Sequence, residues 1–377
     1  MRLQRKTKAV IGAAAVFSLS LGVAGTASAD YAPSSTDVVG VGGDTPQFTV
    51  DFLADGNVAG DLGYNAANNV NKWAGFNATS DTNGRNSFGK NSATPLNPTV
   101  QYRAGTSPVQ RNQSSGDAIK AIIADTGSVH TFDFIASARA PKASEQAQAL
   151  AAPNVGTLRV VQVADDGVEI GAATVTNAPA NLTVNDLLKI YTGVYTKWND
   201  IPGNAAGSSA TIVPGIPPTS SAINNALINA LKAENGGVAP VLSASVQTIE
   251  QNDASVIAGN PNFITPISTA RLNLWASGTF FKDPNVLFPG GSPLPSPIKA
   301  VTGWSTTNQI FFIYRESDQS STKPFQPGST KNFAKTLFAD SAPGAVPFVK
   351  SPGGQALIAS AGDVPNYADK GPGYSVG

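Results

Sequence analysis

Cysteine is absent from the 377 residues, and histidine occurs once, at His130. The first absence excludes disulfides, thiolate nucleophiles and cysteine-bound zinc. The second leaves no histidine cluster for a metal. Charge is scarce as well: Asp, Glu, Lys and Arg make up 13% of the chain, about half the usual share. Gly and Pro, 37 and 27 residues, stay below the level that marks a disordered chain. No apolar run outside the first 29 residues is long enough to cross a membrane.

Arg2, Arg5, Lys6 and Lys8 precede an uncharged, mostly apolar run from Ala9 to Gly25, and Ala27-Ser28-Ala29 has the small-x-small form of a cleavage site. Residues 1–29 are therefore expected to be a removed signal peptide, giving a secreted, extracellular protein with no stable membrane anchor. With no cysteine, a lipid-modified cysteine is excluded too. Taking those four basic residues from 25 Lys+Arg leaves 21 against 25 Asp+Glu, a net charge of −4. Such a surface does not suit nucleic acid or acidic membranes, so any anion must be held by local groups. The remaining 348 or so residues suffice for two lobes, each with a core.

What the chain does have is a set of small-polar, Gly-rich turns, each next to an apolar run. They are Gly42-Gly43-Asp44-Thr45-Pro46, Gln110-Arg111-Asn112-Gln113-Ser114-Ser115-Gly116, Ala136-Ser137-Ala138-Arg139 and Pro218-Thr219-Ser220-Ser221. Turns of this kind place free N–H groups and hydroxyls at helix starts, the chemistry of holding an anion rather than breaking a bond. Strands are expected at 36–42, 72–78, 99–103, 131–136, 158–163, 210–213, 263–264 and 310–314. Helices are expected after Thr45, from Ser114 or Ser115 to Asp125, and over 143–152, 184–192, 222–233, 334–338 and 354–361. Thr45, Thr183 and Ser114 or Ser115 read as N-caps. The alternation predicts an α/β class with mainly parallel sheets, ligands lying beyond the carboxyl ends of the strands.

Among single residues, Arg111 and Arg139 suit an oxyanion best, since a guanidinium meets one with two prongs. The bland alternative pairs them with Asp117 or Asp133. Trp198 reads as packing at a helix end, and His130 as a solvated turn residue. Asp165 and Asp166 are neighbours on a strand and point to opposite faces. Glu250 and Asp253 read as the solvated face of a helix. Gly373-Tyr374-Ser375-Val376-Gly377 has the spacing of a nucleophile elbow without the helix that must follow it, and the prolines around Ser296-Pro297-Ile298-Lys299 oppose the helix an S-x-x-K dyad needs. No enzyme, metal or cofactor is expected.

Taken together these segments resemble the phosphate-type substrate-binding proteins of ABC transporters, with a type II periplasmic-binding-protein fold. Gly40 to Thr45 resembles that family's first phosphate loop, and Asn112 to Gly116 its second. Phe134 to Pro141 is similar to its strand-end segment, and Thr265 to Arg271 to its return crossover. Leu187 to Ile201, with Thr196-Lys197-Trp198-Asn199-Asp200, is the most specific match. Three differences stand out. The fourth loop lacks the family's Gly and basic residue, Arg139 stands near its Asp, and Asp117 adds a carboxylate to the second loop.

The resemblance implies two lobes, one of residues 36–158 plus 264–377 and one of 159–263, joined by two hinge crossovers. A small oxyanion such as phosphate would be captured between them and delivered to an ABC permease. Thr45, Ser114, Ser115, Ser220 and Ser221 would donate hydroxyl or amide bonds, and Arg111, Ser137 and Arg139 would supply charge and orientation. A second expectation is an extracellular interaction module that keeps this fold with an eroded site.

Overall fold

The computed structural model describes residues 33–57, 59–68, 71–77, 99–112, 114–276, 298–320, 332–339 and 346–376. The expected leader, the polar loop at 79–97, Gln113 and the Ser296-Pro297 start of the S-x-x-K segment lie outside them.

In chain order the first elements are β1 (Val38–Gly42), α1 (Gln47–Asp55), α2 (Tyr64–Ala67), β2 (Trp73–Asn77), β3 (Thr99–Val100), β4 (Val109–Gln110), α3 (Ser115–Ala124), β5 (Phe134–Ser137), α4 (Ala143–Ala151) and β6 (Leu158–Ala173). Then come α5 (Val184–Tyr191), β7 (Val213–Ile216), α6 (Ala222–Glu234), β8 (Gln247–Thr248), α7 (Ala254–Ala258), β9 (Phe263–Ser268) and α8 (Thr269–Ala276). The last are β10 (Ile298–Arg315), α9 (Glu316–Ser320), α10 (Phe333–Leu337), α11 (Pro352–Ser360) and β11 (Val364–Pro372).

One large sheet runs β2-β1-β5-β10-β6-β9-β7-β8, with β11 also paired to β6. The expectation of mainly parallel pairing holds only toward its two ends. There β1 pairs β2 and β5, and β7 pairs β8 and β9, all parallel. In the middle β10 pairs β5 and β6, and β6 pairs β9 and β11, all antiparallel. The fold is α/β with a mixed sheet.

The two central strands are far longer than their apolar stretches suggest. β6 and β10 pair from Leu158↔Arg315 to Ala173↔Ile298, with register shifts between Val301 and Ser305 and between Ile310 and Phe311. Beyond Asp165 in β6 and before Ile310 in β10 the continuous apolar runs give way to isolated buried residues, Val168 and Ile170 in the one and Val301 and Trp304 in the other, set among polar ones. Ladder hydrogen bonds carry both through the polar stretches. Along β6 the second partner changes. Residues 159–165 lie beside β11 and residues 168–172 beside β9. Asp166 and Gly167 mark the change, and a Cβ on Gly167 would sit 2.3 Å from Thr269 Oγ1, so glycine allows α8 to approach there.

Strand alternation sorts the core. On β10, Ile310, Phe312 and Tyr314 join Trp73, Phe134 and Phe338 on one face. Phe311 and Ile313 join Val39, Val41, Ile119 and Ile122 on the other. A third cluster gathers Leu187, Ile190, Trp198, Ile212, Leu227 and Ile264. The parallel strands β1, β5 and β7 send their carboxyl ends into the turns at Gly43, Ala138 and Pro217, which positions the loops described next.

Candidate functional site

The loops that follow these strands touch one another. A Cβ on Gly43 would lie 2.7 Å from the Ser115 amide nitrogen and 3.2 Å from its Oγ, so the turn after β1 rests on the start of α3. A Cβ on Gly116 would lie 3.1 Å from the Ser220 carbonyl oxygen and 3.4 Å from Arg139 Nη2. The turn after β5 is tied in by the Ala138 amide, which donates to Ser115 Oγ at 2.8 Å, and by Gly43, whose N–H donates to Ala136 at 3.3 Å. Four segments separated by up to about 180 residues of sequence thus converge, and the amino termini of α3 and α6 meet between them. First-turn N–H groups and the helix dipole favour negative charge at such a point.

Individual side chains depart from the expectations in instructive ways. Thr45 does not cap α1. The N-cap is Pro46, with no side-chain bond. The Thr45 hydroxyl instead accepts from Gln251 Nε2 at 2.6 Å and lies 3.5 Å from Asn252 Nδ2. Ser114 does cap α3, accepting from the Asp117 amide at 3.2 Å, while its hydroxyl donates to the Asp117 carboxylate at 2.9 Å. Ser137 donates to the Arg139 carbonyl at 2.6 Å. Ser221 caps α6, accepting from the Ile223 and Asn224 amides at 3.1 and 3.4 Å, and donates to Gln251 Oε1. Ser220 is half-buried above Gly116.

The two cations differ. Arg139 reaches the meeting point but is paired with Glu145, which neither bland alternative named. Arg111 is buried, its guanidinium 5.9 Å from the Phe76 ring centroid. It sits beside Tyr102, whose phenol burial pushes up to about 12 against the opposing pull of Arg111. Its place is on the second core cluster.

Sequence reasoning missed a buried polar group behind the loops. Gln251 bridges Thr45 and Ser221, and Asn252 donates to Asp44 Oδ2 at 2.8 Å while accepting from the Ser268 amide at 2.9 Å. Arg271 is buried 3.4 Å from Asp44 Oδ1, over the Phe48 ring at 4.5 Å. Asp166 and Asp363 lie deeper. Asp166 accepts from the Ala270 amide at 3.0 Å, and Asp363 accepts from the Thr49 hydroxyl. Burial pushes the Asp166 carboxyl up to about 6 and Asp363 well above its ordinary value. In sequence, Glu250 and Asp253 read as the solvated face of a helix. Here Glu250 and Asp253 are both buried in a turn, not on a helix. His130 is also not solvated: its side chain is 9% exposed, with Nδ1 3.0 Å from the Asp125 carbonyl. Trp198 packs as expected, fully buried with Nε1 donating to Asn262 at 3.0 Å. Asp165 and Asp166 do face opposite ways, one half-exposed and one buried.

Among the described residues no helix is long and apolar enough to cross a membrane, and no group of three or more His, Cys, Asp and Glu could hold a metal ion.

Residues 93–280 match the model of a family described as a PBP superfamily domain. No curated protein matches the sequence. Among solved structures, the chain is similar to a protein from Clostridium perfringens described as a candidate phosphate ABC transporter substrate-binding protein with bound phosphate. They share 15% identity over 88% of this chain and 99% of that one, with a TM-score of 0.51. It is also similar, at 14% identity over 87% and 99% and a TM-score of 0.43, to an ABC-type phosphate transport receptor from Vibrio cholerae. The first likeness shows the two-lobed periplasmic-binding-protein-like fold.

Proposed function

Since residues 93–280 carry a domain of the PBP superfamily, we propose that this chain is a secreted solute-binding protein that captures a small oxyanion, phosphate or a phosphate-like group, without catalysis. The observation that carries the reading is the contact of Gly43 with Ser115 and of Gly116 with Ser220 and Arg139. It brings the amino termini of α3 and α6 and the end of β5 to one point. The amides there supply donors that need no net positive field, which a mature chain of net charge −4 does not provide.

The guest would sit between a lobe of residues 36–158 plus 264–377 and a lobe of residues 159–263. The strands β6 and β10 would flex between them, and closure would bury the anion where each hydrogen bond strengthens. Thr45, Ser114, Ser115, Ser220 and Ser221 are its candidate donors, and Arg111, Ser137 and Arg139 its candidate orienting groups. Bound phosphate in the Clostridium perfringens protein supports that class of guest, and an ABC permease is the partner such a role implies.

Isothermal titration of the mature protein with phosphate, sulfate and a phosphonate tests this. A dissociation constant tighter than about 1 mM, or about −4 kcal/mol, is expected for at least one of them. Weaker binding of all three would overturn the reading and leave an extracellular module with this fold.

A further inference from the structure

The hydrogen bonds around Gln251 have a direction, and that direction decides which hydroxyl can serve an anion. Ser221 Oγ already accepts two α6 amides, from Ile223 at 3.1 Å and Asn224 at 3.4 Å. A hydroxyl has two lone pairs and one proton. With both lone pairs engaged, Ser221 must donate its proton, and its partner must be the oxygen of the Gln251 amide. That fixes the amide orientation and turns Gln251 Nε2 onto Thr45 Oγ1 at 2.6 Å.

Asn252 reaches Thr45 with the same polarity. Its oxygen accepts from the Ser268 amide at 2.9 Å and its nitrogen donates to Asp44 at 2.8 Å, so Nδ2 is also the atom 3.5 Å from Thr45 Oγ1. Two amide nitrogens therefore face the lone pairs of Thr45, and its proton is left to point elsewhere. Ser115 Oγ accepts one amide bond, from Ala138, and its proton is also left for another acceptor. By contrast, Ser114, Ser137 and Ser221 spend their protons on Asp117, the Arg139 carbonyl and Gln251.

We infer that Gln251 is a positioning residue. It converts the helix cap at Ser221 into a fixed hydrogen-bond polarity at Thr45, so that the Thr45 hydroxyl is a dedicated donor to the bound oxyanion. The inference rests on the oxyanion-binding reading above. It also divides the candidate hydroxyls: Thr45 and Ser115 donate to the guest, whereas Ser114, Ser137 and Ser221 shape the loops. Gln251 links a loop before α1 to the start of α6, so it can report the state of one to the other.

A double-mutant cycle on phosphate affinity tests it. Gln251→Met keeps the length of the side chain and removes its polarity, and Thr45→Val removes the donor. Each single change is expected to weaken phosphate binding five- to ten-fold, and the pair is expected to bind within two-fold of Thr45→Val alone. A Gln251→Met loss of undiminished size in the Thr45→Val background would assign Gln251 a merely structural role and overturn the inference. Neutron diffraction of the unliganded wild type after exchange into heavy water reads the same polarity without a guest. A deuteron on Thr45 Oγ1 aimed at Gln251 would overturn the inference; deuterons on Gln251 Nε2 aimed at Thr45 are expected. A wild type that binds no oxyanion would defeat the functional reading alone and leave the neutron result to decide the polarity.

Discussion

Arg139 and Glu145 form a two-pronged ion pair, Nη1 to Oε2 and Nη2 to Oε1, each at 2.8 Å. The geometry is the fork-on-carboxylate match that makes arginine pairs strong. Burial would raise the Glu145 carboxyl, but the Arg139 bond, the Lys142 amide and the nearby charges outweigh it and hold the carboxyl below its ordinary value. A depressed carboxylate keeps its pairing above its unfolded value and loses it as pH falls through the lower folded one. At neutral pH the pair is therefore intact, and an arriving anion meets a charge already matched.

This pairing sets the expected effect of Arg139→Ala. In the wild type, removing a neutralised guanidinium should weaken phosphate binding by less than about 1 kcal/mol. In a Glu145→Gln background the cation is released toward Gly116, phosphate should bind more tightly than to the wild type, and Arg139→Ala should then cost about 1.5–3 kcal/mol. Titration of the four proteins measures both losses. Equal losses in the two backgrounds would show that Glu145 does not hold Arg139 back.

The buried carboxylates make a second prediction, about stability. For Asp166 the largest effect is burial, opposed by bonds from Ser268, Ala270 and Gly167 and by the charge of Arg271. For Asp363 burial leads and the charge of Asp166 adds to it, opposed by Thr49 and Arg271. A carboxyl raised in the folded state binds more protons folded than unfolded. Stability from Asp166 is thus present at low pH and declines as pH rises from about 4 through about 6, and Asp363, raised in the same sense, adds to the loss as pH rises. Asp363→Asn removes a carboxyl whose charged form burial disfavours, and should stabilise the protein by about 1–3 kcal/mol at pH 7 while flattening that decline. Urea midpoints from pH 4 to 7 read it. A variant no more stable than wild type at pH 7 would contradict the burial argument.

How far the sequence reveals this molecule depends on the range of the forces involved. Local signals were reliable. Ser114, Thr183 and Ser221 stand where caps or small-polar turns are needed, and each accepts from its own helix. Long-range effects were not legible. Thr45 precedes Pro46 like a cap, yet Gln251, some 200 residues away in sequence, captures its hydroxyl. β11 carries Pro365 and Pro372, which argue against a strand; here it pairs only with β6, where an absent N–H is tolerated. Glu250 and Asp253 read as solvated, and Gln251 between them carries no local signal, because partners such as Thr45 are brought in only by the packed fold.

Trp198 tests the separation of scaffold from site. It is fully buried in the third core cluster, and Asn262 also accepts from Asn177 Nδ2 at 2.8 Å, so the indole proton is not the sole partner of that amide oxygen. Trp198→Phe should cost about 1–2 kcal/mol and Trp198→Ala about 3–5 kcal/mol of unfolding free energy. Phosphate affinity in a folded Trp198→Phe protein should stay within two-fold of wild type. A selective loss of binding with unchanged stability would instead place the indole against the guest.

Gly43 tests the convergence itself. Its Cβ would fall 2.7 Å from the Ser115 amide nitrogen and 3.0 Å from the Ser114 carbonyl carbon, both backbone atoms that cannot swing aside. Gly43→Ala must therefore push the turn after β1 away from the start of α3. We expect a loss of about 1–3 kcal/mol in stability and, because the displaced amides no longer share one point with Ser220 and Arg139, a loss of phosphate affinity of ten-fold or more. Gly353→Ala in α11 is the control, since a Cβ there meets nothing within 4 Å; it should leave affinity unchanged and stability equal to or slightly above wild type. Comparing the urea midpoints and titrations of the two variants isolates the contact. Gly43→Ala protein that folds and binds as the wild type does would mean that the meeting of these loops is not what holds the guest.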